Sequence, residues 1–151
     1  MKLEDLRVLI VDDNGNMRRL INTILRSVNV SQTMEASSGV EALQMLQEWP
    51  ADIALVDYVM DGLDGVEFTR IVRRDIDKDG RRLPIIMITG YSELWRLKEA
   101  KNAGANDFIV KPFTTKTLIQ RIARVMTNDY TLKELEDQAR AKQPAGPAGD
   151  A

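Results

Sequence analysis

Five polar residues stand out in this chain because each closes a short apolar run. Residues 8–13 end in Asp12 and Asp13, Ile53–Asp57 in Asp57, Ile85–Thr89 in Thr89, and residues 108–112 in Lys111 and Pro112. Apolar runs of that length read as buried parallel strands, and open α/β sheets build their sites at the carboxyl edge of such strands. That edge would hold three carboxylates, one hydroxyl and one ammonium. Three acids against one Lys leave surplus negative charge, which protonation or a cation must neutralise. A hard divalent cation meets that need, and Mg²⁺ suits one or two carboxylates plus water. The same set suits phosphoryl transfer to a carboxylate. A metal relieves the repulsion between anionic nucleophile and phosphoryl oxygens, while a fixed ammonium and a hydroxyl take up the equatorial charge. The product would be an acyl phosphate.

The intervening residues supply the elements that must position these groups. Met17, Leu20, Ile21, Ile24, Leu25 and Val28 fall at helical spacing. A short strand over Gln32–Ala36 leads to Ser38, which with Glu41 forms a helix-capping signal ahead of Val40, Leu43 and Leu46, and Pro50 closes that helix. Turn residues Asp61, Gly62, Asp64 and Gly65 precede a helix carrying Val66, Phe68, Ile71 and Val72. A fourth helix over Leu94–Ala103 should stop at Gly104 in a left-handed cap. Thr114 or Thr115 caps a fifth, with Leu118, Ile119, Ile122, Val125 and Met126 on one face. Five strands alternating with five helices predict a doubly wound α/β domain, with right-handed crossovers and helices on both faces of a parallel sheet. The domain should span residues 1–128. Residues 129–151 would be a C-terminal extension: one amphipathic helix over 131–142, capped by Thr131 and Glu134 with Leu132 and Leu135 as its apolar stripe, then a disordered Pro, Gly and Ala-rich tail.

Composition narrows the chemistry further. The 151 residues include no Cys and no His, which removes disulfides, thiolate nucleophiles, His triads and His-ligated zinc. Carboxylates are left to do the work. A hydrophobic share of 44% and a charged share of 29% fit an ordinary globular domain of one core, and no apolar run is long enough to span a bilayer. Glu4 and Asp5 stand where a secretory leader would need apolar residues, so a cytoplasmic location is expected. The net charge of −2 argues against a nucleic-acid partner. Arg70, Arg73, Arg74, Lys78, Arg81 and Arg82 are interrupted by Asp75, Asp77 and Asp79, and read as a solvated helix end and loop.

Taken in order, Val-Asp12-Asp13, Val-Asp57-Tyr58, Met-Ile-Thr89-Gly90 and Lys111-Pro112-Phe113 resemble the receiver domain of two-component response regulators, chemotaxis-type and stand-alone. Each motif alone is weak, and their coincidence at four strand ends is specific. The resemblance covers residues 6–128. It implies the flavodoxin-like strand order 2-1-3-4-5 and phosphorylation of Asp57, with Mg²⁺, by a phosphohistidine on a histidine kinase or a histidine phosphotransfer protein. Asp12 and Asp13 match the metal-binding acidic pair, completed by Asp57 and the backbone carbonyl of Val59. Lys111 matches the phosphoryl-contacting lysine, free to pair with Asp57 beforehand. Thr89 matches the switch hydroxyl, with Phe108 as the switch aromatic; lacking a hydroxyl, Phe108 must couple through packing. The resemblance also implies a phosphoacceptor that assists its own Mg²⁺-dependent phosphorylation and dephosphorylation rather than an enzyme, signalling to an output protein.

Rival readings differ in what they need. A dehalogenase-type phosphohydrolase wants a second acid two residues after its nucleophilic Asp, where Val59 stands. A flavodoxin-like electron carrier wants a hydroxyl-rich and amide-rich loop after the first strand, where Asp12 and Asp13 would repel its phosphate. A receiver-fold scaffold that never takes phosphate is the main alternative. Asp75, Asp77, Asp79 and Gly80 match the opening of a calcium loop, but Ile86 occupies the position of its bidentate Glu. Trp95, one step off the Leu94 and Leu97 stripe, leaves core-edge packing and an exposed partner anchor equally open.

Overall fold

A computed structural model describes residues 2–77 and 81–127. The alternation expected from the sequence is present: β1 (Arg7–Val11), α1 (Gly15–Ser27), β2 (Gln32–Ala36), α2 (Gly39–Glu48), β3 (Ile53–Asp57), α3 (Gly65–Ile71), β4 (Ile85–Thr89), α4 (Leu94–Ala103), β5 (Asp107–Val110) and α5 (Thr115–Met126). A turn of 3-10 helix over Leu3–Asp5 precedes β1, and α3 runs on into a π-helical turn over Val72–Ile76. The strands form one parallel sheet in the order β2-β1-β3-β4-β5. The domain limit at 128 and the expected extension over 129–151 lie outside the described residues, as do the last two positions of the calcium-loop match, Asp79 and Gly80.

The register explains how one edge collects the polar groups. Val11 lies beside Val56, Asp57 beside Ile88, and Thr89 beside Val110. Asp12 is therefore level with Asp57, and Thr89 and Lys111 each project one residue further. Strand alternation divides the core between the two faces. Val8, Ile10, Ile53, Leu55, Ile86 and Ile88 meet Ile21, Leu25, Leu118 and Ile122 of α1 and α5. Leu9, Val11, Ala54, Val56 and Ile85 meet Ala42, Phe68 and Val72 on the other side. Every residue of β3 and β4 is buried, the reason their sequences read as unbroken apolar runs.

Helix ends follow local chemistry. The Asn14 side chain accepts the N–H groups of Asn16 and Met17 at 2.9 and 3.2 Å, and Ser38 accepts that of Glu41 at 3.1 Å. The Glu41 carboxylate returns to the Ser37 amide at 2.8 Å, one residue before the cap. Thr114 rather than Thr115 caps α5, through the Thr117 amide at 3.0 Å. Gly104 takes φ 109° and ends α4 as expected. Leu20 and Val40 depart from the helical stripes assigned to them, because both lie on flanks that no neighbouring element covers, and they are exposed. Nor is Arg73 a solvated charge. Its guanidinium donates to the Gly104 carbonyl at 3.0 and 2.8 Å, the Leu83 carbonyl at 2.8 Å and Asp77 at 3.0 Å, tying α3 to the end of α4. Asp77 also accepts the Leu83 amide at 2.9 Å and Asp75 pairs with Arg74, so these acids are engaged in the loop itself. Among the described residues no helix is long and apolar enough to cross a membrane.

Candidate functional site

Asp12, Asp13 and Asp57 converge at the carboxyl edge, with one carboxylate oxygen from each lying within 4.8 Å of the others. Main-chain groups set their orientation. Asp12 is buried, accepts the Asn14 amide at 2.8 Å, and has its own carbonyl held by Arg18 at 2.6 Å; Arg18 in turn pairs with Glu35 at 3.1 Å. Asp13 is exposed and accepts the Asp61 amide at 3.1 Å, so Asp61 serves the cluster through its backbone while its side chain faces solvent. Burial raises the Asp12 carboxyl above its ordinary range. It also pushes Asp57 up to about 6, helped by the negative charge of Asp12 and opposed by Lys111 and the Val59 amide. Hard oxygen donors carrying more charge than the local cation balances suit Mg²⁺, so this donor set fits the metal expected from the sequence.

Lys111 reaches across from the end of β5 to Asp57 at 3.3 Å. Its backbone amide donates to the Thr89 carbonyl at 2.7 Å, so the ammonium and the hydroxyl are set by neighbouring ladder positions. Thr89 is buried, and its hydroxyl both donates to the Tyr91 carbonyl at 3.3 Å and accepts the Tyr91 amide at 2.9 Å. The Val59 side chain is exposed. Phe108 is half-buried against a cluster of Tyr58, Val66, Met87, Ala100 and Ala103. Of the residues expected at the site, Asp12, Asp13, Asp57, Val59, Thr89 and Lys111 thus stand at or just beyond this edge, whereas Phe108 lies inside β5, level with Met87.

Three contributors were not evident from the sequence. Gly65 opens α3 so close to β3 that a Cβ there would lie 2.5 Å from the Asp57 carbonyl oxygen and 2.6 Å from Met87 Sδ. It reads in sequence as one turn glycine among several. The Tyr58 hydroxyl donates to Glu99 of α4, and burial, with that carboxylate, pushes the phenol up to about 12. The Arg96 guanidinium packs on three rings, 3.9 Å from the Tyr91 centroid, 4.5 Å from Trp95 and 5.6 Å from Tyr58. Trp95 itself is 57% exposed, which settles its placement on the surface side.

Comparison with known proteins gives a consistent picture. The family described as Response regulator receiver domain matches residues 8–123. Chemotaxis protein CheY-3 of Vibrio cholerae is 35% identical over 122 residues, 81% of this chain and 92% of that protein. Chemotaxis protein CheY of Pseudomonas aeruginosa is 37% identical over 120 residues, 80% and 95% of the two chains. The solved structure of Vibrio cholerae chemotaxis protein CheY4 superposes with a TM-score of 0.73 at 31% identity, covering 80% of this chain and 98% of that one. A probable two-component system response regulator/GGDEF domain protein gives 0.73 at 32% identity over 82% of this chain and 50% of its own. Because the family match runs from the first strand into the last helix, over the sheet edge that gathers the acids, the chain belongs to the response regulator receiver domain family, chemotaxis-type, with a signalling role in a two-component system.

Proposed function

We infer that Asp57 accepts a phosphoryl group from a phosphohistidine on a histidine kinase or phosphotransfer protein, and that the phosphorylated surface is read by an output protein. Receiver domains are phosphoacceptor signalling proteins rather than classical enzymes, and imply such a kinase and such a target. The observation that carries the inference is the placement of a buried carboxylate, Asp57, against both an ammonium 3.3 Å away and two further acids. An Asp57 oxygen would attack phosphorus, and the departing imidazole nitrogen would keep the electron pair of the broken P–N bond. Asp12, Asp13, Asp57 and the Val59 carbonyl would hold Mg²⁺. That ion supplies charge neutralisation between the carboxylate and the incoming phosphoryl oxygens. Lys111 leaves its pair with Asp57 to contact the transferred group, as a point charge on a flexible stem can. Thr89 turns its hydroxyl to a phosphoryl oxygen, and Phe108 follows by packing.

Acetyl phosphate with Mg²⁺ tests the assignment. Base-labile label should enter the wild type, vanish in Asp57→Asn and fall strongly in Lys111→Ala. Label that survives Asp57→Asn would refute the choice of acceptor. A wild type that takes no label from acetyl phosphate or from a phosphohistidine donor would leave the fold as a phosphorylation-independent scaffold.

A further inference from the structure

The edge of the sheet opposite the acids carries a cavity that phosphoryl chemistry does not use. It opens between the starts of β1, β3 and β4, the end of α2 and the turn that extends α3. Its volume of about 410 Å³ falls within the range of ligand pockets, about 300–1,000 Å³. Leu46, Trp49, Ile76 and Leu83 form an apolar wall, each only partly covered by the core behind it. Charge on the rim is uneven. Asp52 is engaged by the Arg7 amide at 2.8 Å and its guanidinium at 3.3 Å, and Asp77 by Arg73 at 3.0 Å and the Leu83 amide at 2.9 Å. Arg82 donates to the Gly104 carbonyl at 3.2 Å, while the Arg81 side chain has no hydrogen-bond or ion-pair partner among the described residues. A guanidinium has five N–H donors, so both arginines have donors to spare. An apolar wall beneath such groups suits an occupant that mixes apolar side chains with carboxylates.

The chain brings such a segment to this edge. α5 runs antiparallel to the strands, and its 12 residues cover about 18 Å, the depth of the sheet. Its last turn, with Val125 and Met126, packs on the same cluster as Leu3 and Leu6, and Arg7, the next residue after Leu6, lines the cavity. Beyond Thr127, residues 129–137 set Tyr130, Leu132 and Leu135 among Asp129, Glu134, Glu136 and Asp137, four acids against the single Lys133. Residues 128–131 span up to about 14 Å when extended, enough to pass around an edge one strand layer thick. Tethering also holds the segment at an effective concentration near millimolar, an advantage that a separate partner of equal fit lacks.

We propose that residues 130–137 of this chain dock in the amino-edge cavity, with Tyr130, Leu132 and Leu135 against Leu46 and Trp49 and the acids toward Arg81 and Arg82. The docked segment lies at the far end of the strands from Asp57 and leaves the acidic edge open.

The test is nuclear magnetic resonance of the full chain carrying a nitroxide at the end of the segment. The chain has no Cys, so Gln138→Cys places the label at a single position. Its broadening is read, against the reduced label, at the indole N–H signals of the two tryptophans, Trp49 in the cavity and Trp95 at the opposite edge. The Trp49 signal should be lost and the Trp95 signal kept. Leu132→Ser with Leu135→Ser should bring Trp49 back, and Arg81→Glu, which has no bond to lose, should bring it back in part. A Trp49 signal left sharp by the label would hand the cavity to another occupant and overturn the proposal. Equal broadening of both indoles, or broadening that survives the two Leu→Ser changes, would overturn it as well. Undiminished broadening in Arg81→Glu would overturn the charge match, and with it the choice of this segment. Mixing isotope-labelled chain that lacks the nitroxide with spin-labelled chain that lacks the isotope separates the remaining occupant: loss of Trp49 in that mixture would assign the cavity to a second copy and overturn docking within one chain.

Discussion

Replacing Asp57 by Asn should make the metal-free protein more stable at neutral pH and remove part of its pH dependence. Burial and the neighbouring Asp12 charge raise the Asp57 carboxyl from 3.8 to about 6 in the folded protein. Between these values the folded state holds a proton that the unfolded state has released, so stability falls as pH rises through this window and is level above it. A shift of that size corresponds to about 3 kcal/mol. That figure is already net of the attraction of Lys111 for the carboxylate, which holds the shift down. Thermal melts in EDTA should place Asp57→Asn above the wild type at pH 7 by up to roughly 10 °C. The gap should narrow below pH 6 and close below about pH 3, where Asp57 is neutral in both the folded and the unfolded state. Saturating Mg²⁺ should stabilise the wild type at pH 7 and shrink the gap from the other side. A variant no more stable than the wild type at pH 7 in EDTA, or a gap independent of pH, would refute the electrostatic account of the cluster.

Gly65→Ala should cost about 1–3 kcal/mol in urea melts, because its Cβ forces apart α3 and the end of β3; Mg²⁺ affinity, read from the Mg²⁺-dependent rise in Tm, should weaken with it. In Asp13→Asn the rise in Tm with millimolar Mg²⁺ should also be reduced, since one of the three grouped carboxylates is gone. Arg73→Ala should lower stability by roughly 2–4 kcal/mol, through loss of charge-assisted bonds to Gly104, Leu83 and Asp77; an unchanged chemical melt would contradict its role in joining α3 to α4. Phosphorylated wild-type protein should decay slowly, because Val59 offers no polar side chain to orient an attacking water and Tyr91 is bulky rather than acidic. Decay in Val59→Asn with Tyr91→Glu should be clearly faster, and equal rates would count against that explanation.

Periodicity and punctuation in the chain determined most of the architecture. β3 and β4 are buried on both faces, so their sequences stay apolar up to the last residue of each strand, and that residue announces itself as Asp57 or Thr89. Ser38 and Gly104 mark helix ends by bonds made within a few residues, which a local reading can anticipate. Only the tertiary structure decided what these groups meet. The Asp61 amide on Asp13, the Tyr58 hydroxyl on Glu99 and the Arg73 guanidinium on Gly104 join residues 31 to 48 positions apart. Arg73 illustrates the limit well, since in sequence it is one of six basic residues with nothing to separate it from its solvated neighbours. Gly65 and Arg96 illustrate it from the opposite side: one matters for the atoms its missing Cβ would strike, the other for the three rings it touches. A one-dimensional pattern reports which face of an element is apolar. Which particular atoms come to lie against that face depends on the register of the sheet and the seating of each helix, and those exist only once the whole domain has closed.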